Sequence, residues 1–206
     1  VVVRFESVTD HCRVYLNGQE VGANNDGYLP FEIDLSGALR PGQDNVLAMW
    51  TENQPRQEDL SGFERGWRTY CGIMREVRLI VSGPLHVGAV RVLRAAPDAG
   101  GGRLELEVDL SNNRGESAQA EIEASVRQGD KVLAWFRAGP QDLAKDGRTT
   151  LPLGGHVPGV EAWSPKNPGL YHVQVRLLDR GREVDSMELR TGFRTVEVRD
   201  NALLVN

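Results

Sequence analysis

Cysteine is scarce in this sequence. Cys12 and Cys71 are the only 2 in 206 residues, too few for a fold held by disulfides. A single bridge is open to them, but buried free thiols, packed as small core hydrophobes, are the expected state. Histidine is also sparse. His11, His86, His156 and His172 are scattered, with no spacing that lets two histidines, or a histidine and a cysteine, share a metal. His11 and Cys12 are adjacent, and adjacent side chains on a strand point to opposite faces. No metal and no other cofactor is expected. A basic excess is missing as well: 24 Lys and Arg stand against 29 Asp and Glu, interspersed, for a net charge of -5. That balance argues against a nucleic-acid partner. No apolar run is long enough to span a bilayer and the N-terminus does not read as a signal peptide, so no membrane partner is expected.

A sustained helical period is also lacking; what is present is alternation. Cys12-Arg13-Val14-Tyr15-Leu16 alternates and meets Asn17-Gly18, a tight hairpin turn into Glu20-Val21. A second turn cluster is Asn24-Asn25-Asp26-Gly27. Strands are predicted over 29–35, 45–50 and 75–81, with a polar loop from about Thr51 to Tyr70. Ser82-Gly83-Pro84 marks a boundary, and beyond it the spacing becomes regular. Leu104 to Leu110, Ala120 to Val126 and Tyr171 to Leu177 alternate strictly, with turns at Asn113-Arg114-Gly115, Gln128-Gly129-Asp130 and Asp179-Arg180-Gly181. Further strands are predicted over 131–136, 148–153, 182–189 and 193–198. Such spacing predicts an immunoglobulin-like β-sandwich, with Leu104, Leu106, Val108, Ile122, Val126, Val173, Val175 and Leu177 facing inward. Pro165 and Pro168 exclude a helix before that last strand, and Trp163 reads as a core anchor below a corner of the sheet.

The fold class is therefore all-β, in two domains. The first, 1–83, opens directly on a strand at "VVVRFESV" and is expected to begin mid-fold, leaving a sheet with an unpaired edge or strands borrowed from another chain. The second spans 84–199.

Three stretches in the first half carry a resemblance: "RFESVTDHCRVYLNGQEVG", "GYLPFEIDLSGALRPGQDNVLAM" and "CGIMREVRLIV". They resemble, in order, the V-x-L-N-G-x-x-V-G hairpin, the aromatic-Pro-Phe-Glu-x-Asp segment with its L-x-x-G-x-N turn, and the G-I-x-R-x-V-x-L strand of the sugar-binding jelly roll in family-two glycoside hydrolases. "AWSPKNPGLYHVQVRLLD" and "TGFRTVEVRDNALLVN" resemble strands of the immunoglobulin-like domain that follows it there. The resemblance implies a partial jelly roll, then an immunoglobulin-like sandwich, then residues 200–206 as a linker toward a missing catalytic barrel. It implies a parent enzyme of β-galactosidase type in carbohydrate metabolism, with these domains as scaffold and pocket rim and a carbohydrate substrate met through the barrel. In the family the catalytic acid follows an Asn, and no Asn-Glu pair occurs here, so no catalytic residue is assigned. A homo-oligomer is left open. The alternatives are a standalone carbohydrate-binding module, for which 6% aromatic residues is thin, and an adhesion-type sandwich.

The resemblance also implies that the loop before "G-I-x-R" reaches the sugar pocket. Its candidate substrate-binding residues are Glu64, Arg65 and Trp67. The Trp67 ring could stack on a sugar or pack beneath its own loop. Arg65, Arg68 and Arg75 could meet a substrate carboxylate or pair with neighbouring acids. Asn25 and Asp26 complete the set: their amide and carboxylate suit sugar hydroxyls, although turn chemistry alone explains the Asn-Asn-Asp-Gly run and is the preferred reading.

Overall fold

Alternation becomes paired sheets in the computed structural model, which describes residues 1–54, 56 and 70–206. Two compact units form, Val1–Val81 and Ser82–Asn206. Among the described residues no helix is long and apolar enough to cross a membrane.

The first unit holds β1 (Val2–Phe5), β2 (Val8–Thr9), β3 (His11–Leu16), β4 (Gln19–Asn24), β5 (Phe31–Asp34), β6 (Leu47–Glu52), β7 (Gly72–Ile73) and β8 (Val77–Ile80). Two three-stranded antiparallel sheets, β5-β1-β8 and β4-β3-β6, bring their inner faces together, and β2 pairs with β7. Val3 and Phe5 from one sheet and Cys12, Val14 and Leu16 from the other form a single buried cluster, completed by Val8, Ile33 and Leu35. Phe31 stacks on Phe5 at 5.0 Å between centroids. The β3–β4 hairpin turns through Asn17 (φ 54°) and Gly18 (φ 85°), the doubly left-handed turn that Asn-Gly accommodates without a clash at Cβ. Asn17 then donates its amide to Ala38 O and Asn45 Oδ1, and Asn45 in turn donates to the carbonyls of Arg40 and Gln43. Two asparagines thus satisfy the backbone of a loop that has no sheet to pair with.

β1 lies at the centre of its sheet, flanked by β5 and β8. The strand at Val1 is therefore paired on both sides, and among the described residues the sheet's edges are β5 and β8. On β8, Val77, Leu79 and Ile80 are exposed.

The second unit holds β9 (Leu85–Asp98), β10 (Gly101–Asn112), β11 (Ala118–Gln128), β12 (Lys131–Leu143), β13 (Arg148–Pro158), β14 (Tyr171–Asp179), β15 (Arg182–Thr191), β16 (Val196–Arg199) and β17 (Ala202–Val205). A three-stranded sheet, β13-β10-β9, faces a four-stranded one, β12-β11-β14-β15. This is the immunoglobulin-like sandwich that the spacing predicts. All eight predicted inward residues are buried to within 1% of full burial. Tyr171 opens β14, meets Phe193 edge-on at 5.3 Å and accepts a hydrogen bond from Glu161 N at 2.8 Å. A phenol reaching back to upstream backbone pins the corner where the chain enters its central strand. Gly102 is required here, since a Cβ would lie 2.4 Å from the Phe193 ring.

Some local expectations change. Trp163 is half-buried rather than a core anchor: the Arg194 guanidinium covers its ring at 5.2 Å and Asn206 donates to its carbonyl. Residues 202–205, expected in a linker, form β17 and pair with β16. Both cysteines are free; Cys12 is buried as expected, whereas Cys71 is exposed. Glu107 and Asp109 face outward but are not merely solvated. Arg91 bridges them at 2.7 Å to each, and Thr150 donates to Asp109 at 2.7 Å. The Arg91 guanidinium, and then that hydroxyl, hold the Asp109 carboxyl below the usual carboxylate range.

Asn112 is fully buried and donates to Glu116 O at 2.8 Å and Ala144 O at 3.0 Å, while its Oδ1 accepts from Arg114 N at 3.2 Å. Asn112→Leu keeps the volume and strands those groups, so it is expected to destabilise the second unit by roughly 2–4 kcal/mol. Urea unfolding followed by amide exchange in β10 and β14 measures this; a loss within experimental error would contradict the role given to Asn112. For Asp109 the sign follows from its lowered folded pKa. Its contribution is complete above about pH 4, the unfolded value, and is lost as pH falls through the folded value. Asp109→Asn should therefore cost stability at neutral pH and little at strongly acid pH, as read from melting curves at both. A difference that grows in acid would reverse the argument.

Candidate functional site

Three strand ends of the first unit bring polar groups to one place. His11 at the start of β3 is in register with Glu52 at the end of β6, and Cys12 with Asn24 at the end of β4 and with Thr51. The turn carrying two predicted site residues follows directly from β4. Asp26 Oδ1 accepts from Tyr28 N at 2.9 Å and Leu29 N at 3.2 Å, and Asn24 donates to Asp26 O at 2.6 Å. Asp26 is thus engaged in an Asx turn, the turn-chemistry reading of that residue. Asn25 is exposed, and its Oδ1 lies 3.4 Å from His11 Nδ1. The turn is tied down beneath by Ser7, whose hydroxyl donates to Gly27 O at 2.6 Å. Tyr28, beyond it, is exposed.

Sequence reasoning passed over the buried polar run below this turn. Ser7, Thr9, Asp10 and His11 are all buried. Asp10 N donates to Glu52 O at 3.1 Å, and Gly27 packs so close to the Asp10 carboxylate that a Cβ there would lie 3.0 Å from Oδ1. One signal was available: Thr9-Asp10-His11 interrupts an otherwise apolar-polar alternation at the mouth of a strand. Among the described residues no three His, Cys, Asp or Glu side chains could hold a metal ion.

The remaining predicted residues, Glu64, Arg65 and Trp67, lie outside the described residues, as does Arg68. The described residues on either side of that stretch reach the same end of the unit. Arg56 donates to Glu52 at 2.8 Å, and Cys71 Sγ lies 3.2 Å from Thr51 Oγ1. Arg75 belongs to the described part and is exposed. Burial pushes the Cys12 thiol up, which keeps it protonated and suited to packing rather than to nucleophilic chemistry. The arrangement offers an amide, a phenol and a set of buried hydrogen-bonding groups. Such groups can orient hydroxyls; among the described residues they place no acid and nucleophile pair around one bond.

Comparison with known proteins agrees with this division. Residues 1–83 match the sugar binding domain of glycosyl hydrolases family 2, and residues 86–194 match glycosyl hydrolases family 2 itself. A β-galactosidase of Thermoanaerobacter pseudethanolicus is 24% identical over 206 residues, covering 98% of this chain and 27% of that protein. A β-galactosidase large subunit of Latilactobacillus sakei is 27% identical over 214 residues, covering 100% and 31%. Among solved structures, a Bacteroides uniformis β-glucuronidase superposes with a TM-score of 0.87 at 20% identity, covering 100% of this chain and 26% of that one. At that identity the likeness is one of fold. The chain spans 27% and 31% of the lengths of the two β-galactosidases. Two consecutive family regions fill nearly the whole of it, and the chain belongs to glycosyl hydrolases family 2.

Proposed function

We propose that these 206 residues are the non-catalytic, sugar-facing and spacer region of a β-glycosidase, β-galactosidase-like in substrate class. In this reading the acid and the nucleophile are supplied by other residues of the polypeptide. The first unit forms part of the rim of the sugar pocket, and the second is a rigid support. The order of the two family regions along the chain is the observation that carries it.

Charge arrangement supports the same division. Cleavage of a glycoside needs one carboxyl held protonated and a second held ionised across the scissile bond. Glu6, Asp34, Asp109 and Glu188 all have carboxyls held below the usual range, chiefly by hydrogen bonds from Arg4, Ser36, Arg91 and His172 respectively. Glu123 is buried between Arg137 and Arg176. The four carboxyls held low by hydrogen bonds are poor proton donors near neutral pH.

Two measurements test the reading. The 206-residue chain alone should turn over no p-nitrophenyl glycoside, while a polypeptide continuing past Asn206 in its gene should. Turnover by the short chain that one Asp or Glu substitution abolishes would overturn the proposal. In the longer polypeptide, Trp67→Ala should raise KM more than it lowers kcat if Trp67 contributes binding at the rim. Asp26→Ala should instead lower stability by about 1 kcal/mol through loss of the turn, with KM nearly unchanged. An Asp26 effect confined to KM would make that carboxylate a sugar contact.

A further inference from the structure

The second unit carries a cleft lined by residues to which the function proposed above gives no role. It lies on the seam of the sandwich, between β9 at the edge of one sheet and β15 at the edge of the other, and has a volume of about 410 Å³. Three arginines line it: Arg94 from β9, Arg190 from β15 and Arg194 just beyond. Leu93 and Leu170 form its apolar walls, at 62% and 44% exposure. Leu93 points there because β9 is bulged: Arg94 pairs with Glu105 and Val92 with Leu106, leaving Leu93 without a partner in the ladder. Bulges re-aim side chains in this way.

The arginines are under-neutralised. Arg190 has no ion pair among the described residues. Arg94 is 4.0 Å from Glu105, a carboxylate that Arg103 also approaches at 3.3 Å. Arg194 lies over the Trp163 ring. The nearest acid along β15, Glu188, is held by His172 at 2.5 Å and faces Arg127 at 3.7 Å.

We propose that this cleft binds an oligosaccharide bearing carboxylates, a uronic-acid glycan. The guanidinium fork matches a carboxylate bidentately, and the leucine walls suit the C–H face of a pyranose ring. A peptide adding as a strand is disfavoured by the backbone. Arg194 N already donates to Ala95 O at 2.8 Å across the seam, and the bulge interrupts the free edge. The choice of a saccharide rests on the glycosidase reading above.

The test is a calorimetric titration of the 206-residue chain with three probes: a galacturonic acid trisaccharide, a neutral galactose trisaccharide and hexaglutamate. The acidic sugar should bind, with the neutral one about tenfold weaker or worse, because each charge-assisted hydrogen bond to carboxylate is worth roughly that factor. Arg190→Ala and, on the facing strand, Arg94→Ala should each weaken binding about tenfold without shifting the melting temperature. Arg190→Lys should fall between, since it keeps the charge and loses the fork. Raising salt from about 0.05 M to about 0.5 M should weaken binding several-fold. Equal binding of the neutral sugar, tighter binding of hexaglutamate, no binding, or indifference to both alanine substitutions would each overturn the proposal. A longer polypeptide without glycosidase activity would sink the function proposed above while leaving this binding result intact.

Discussion

Burial of alternate side chains between two facing sheets is the constraint on which both units depend. In the second unit, Leu104, Leu106, Val108 and Leu110 of β10 join Ile122, Ala124 and Val126 of β11 and the inner residues of β14 in a single core. Each such leucine or valine contributes about 1.5–3 kcal/mol by leaving water. A slip of one residue would turn the whole set outward, so the register of every strand is tied to this one contact. The first unit repeats the arrangement on a smaller scale with Val3, Phe5, Val14 and Leu16.

Once the inner faces are committed, the outer faces and loops must be satisfied separately. On the outer faces arginine and carboxylate ladders do so: Arg91 with Glu107 and Asp109, and Arg176 with Glu123 and the Trp135 ring. In the loops, asparagine does so. Asn17, Asn45 and Asn112 each carry several backbone groups that have no sheet partner. Strand ends and seams keep exposed polar groups, among them Asn25 and Tyr28 beside the Gly27 turn and Arg94 and Arg190 in the cleft, and the proposals above rest on these.

Much of this was legible from the residues. Period-two patterns located the central strands, and Asn-Gly located a hairpin whose dihedrals leave little choice. Strand ends were less legible. β12 continues to Leu143 through Pro140, where the pattern predicts a stop near Phe136; an edge strand tolerates a proline because its outward N–H is not needed by the ladder. The candidate site was legible only as a turn. Asp26 reads first as a turn residue and second as a sugar contact, and it accepts from Tyr28 N and Leu29 N as a turn residue does.

The sequence by itself determined the fold class, the boundary near Ser82 and the inward residues of each central strand, because alternation and turn chemistry act over a few neighbouring positions. Only the tertiary structure decided that Thr9, Asp10 and His11 are buried beneath the Gly27 turn, that Trp163 lies under Arg194, and that Arg94 and Arg190 face one cleft. Those groups come together through pairing of strands far apart in the chain, and in the last case through a bulge that no local pattern marks.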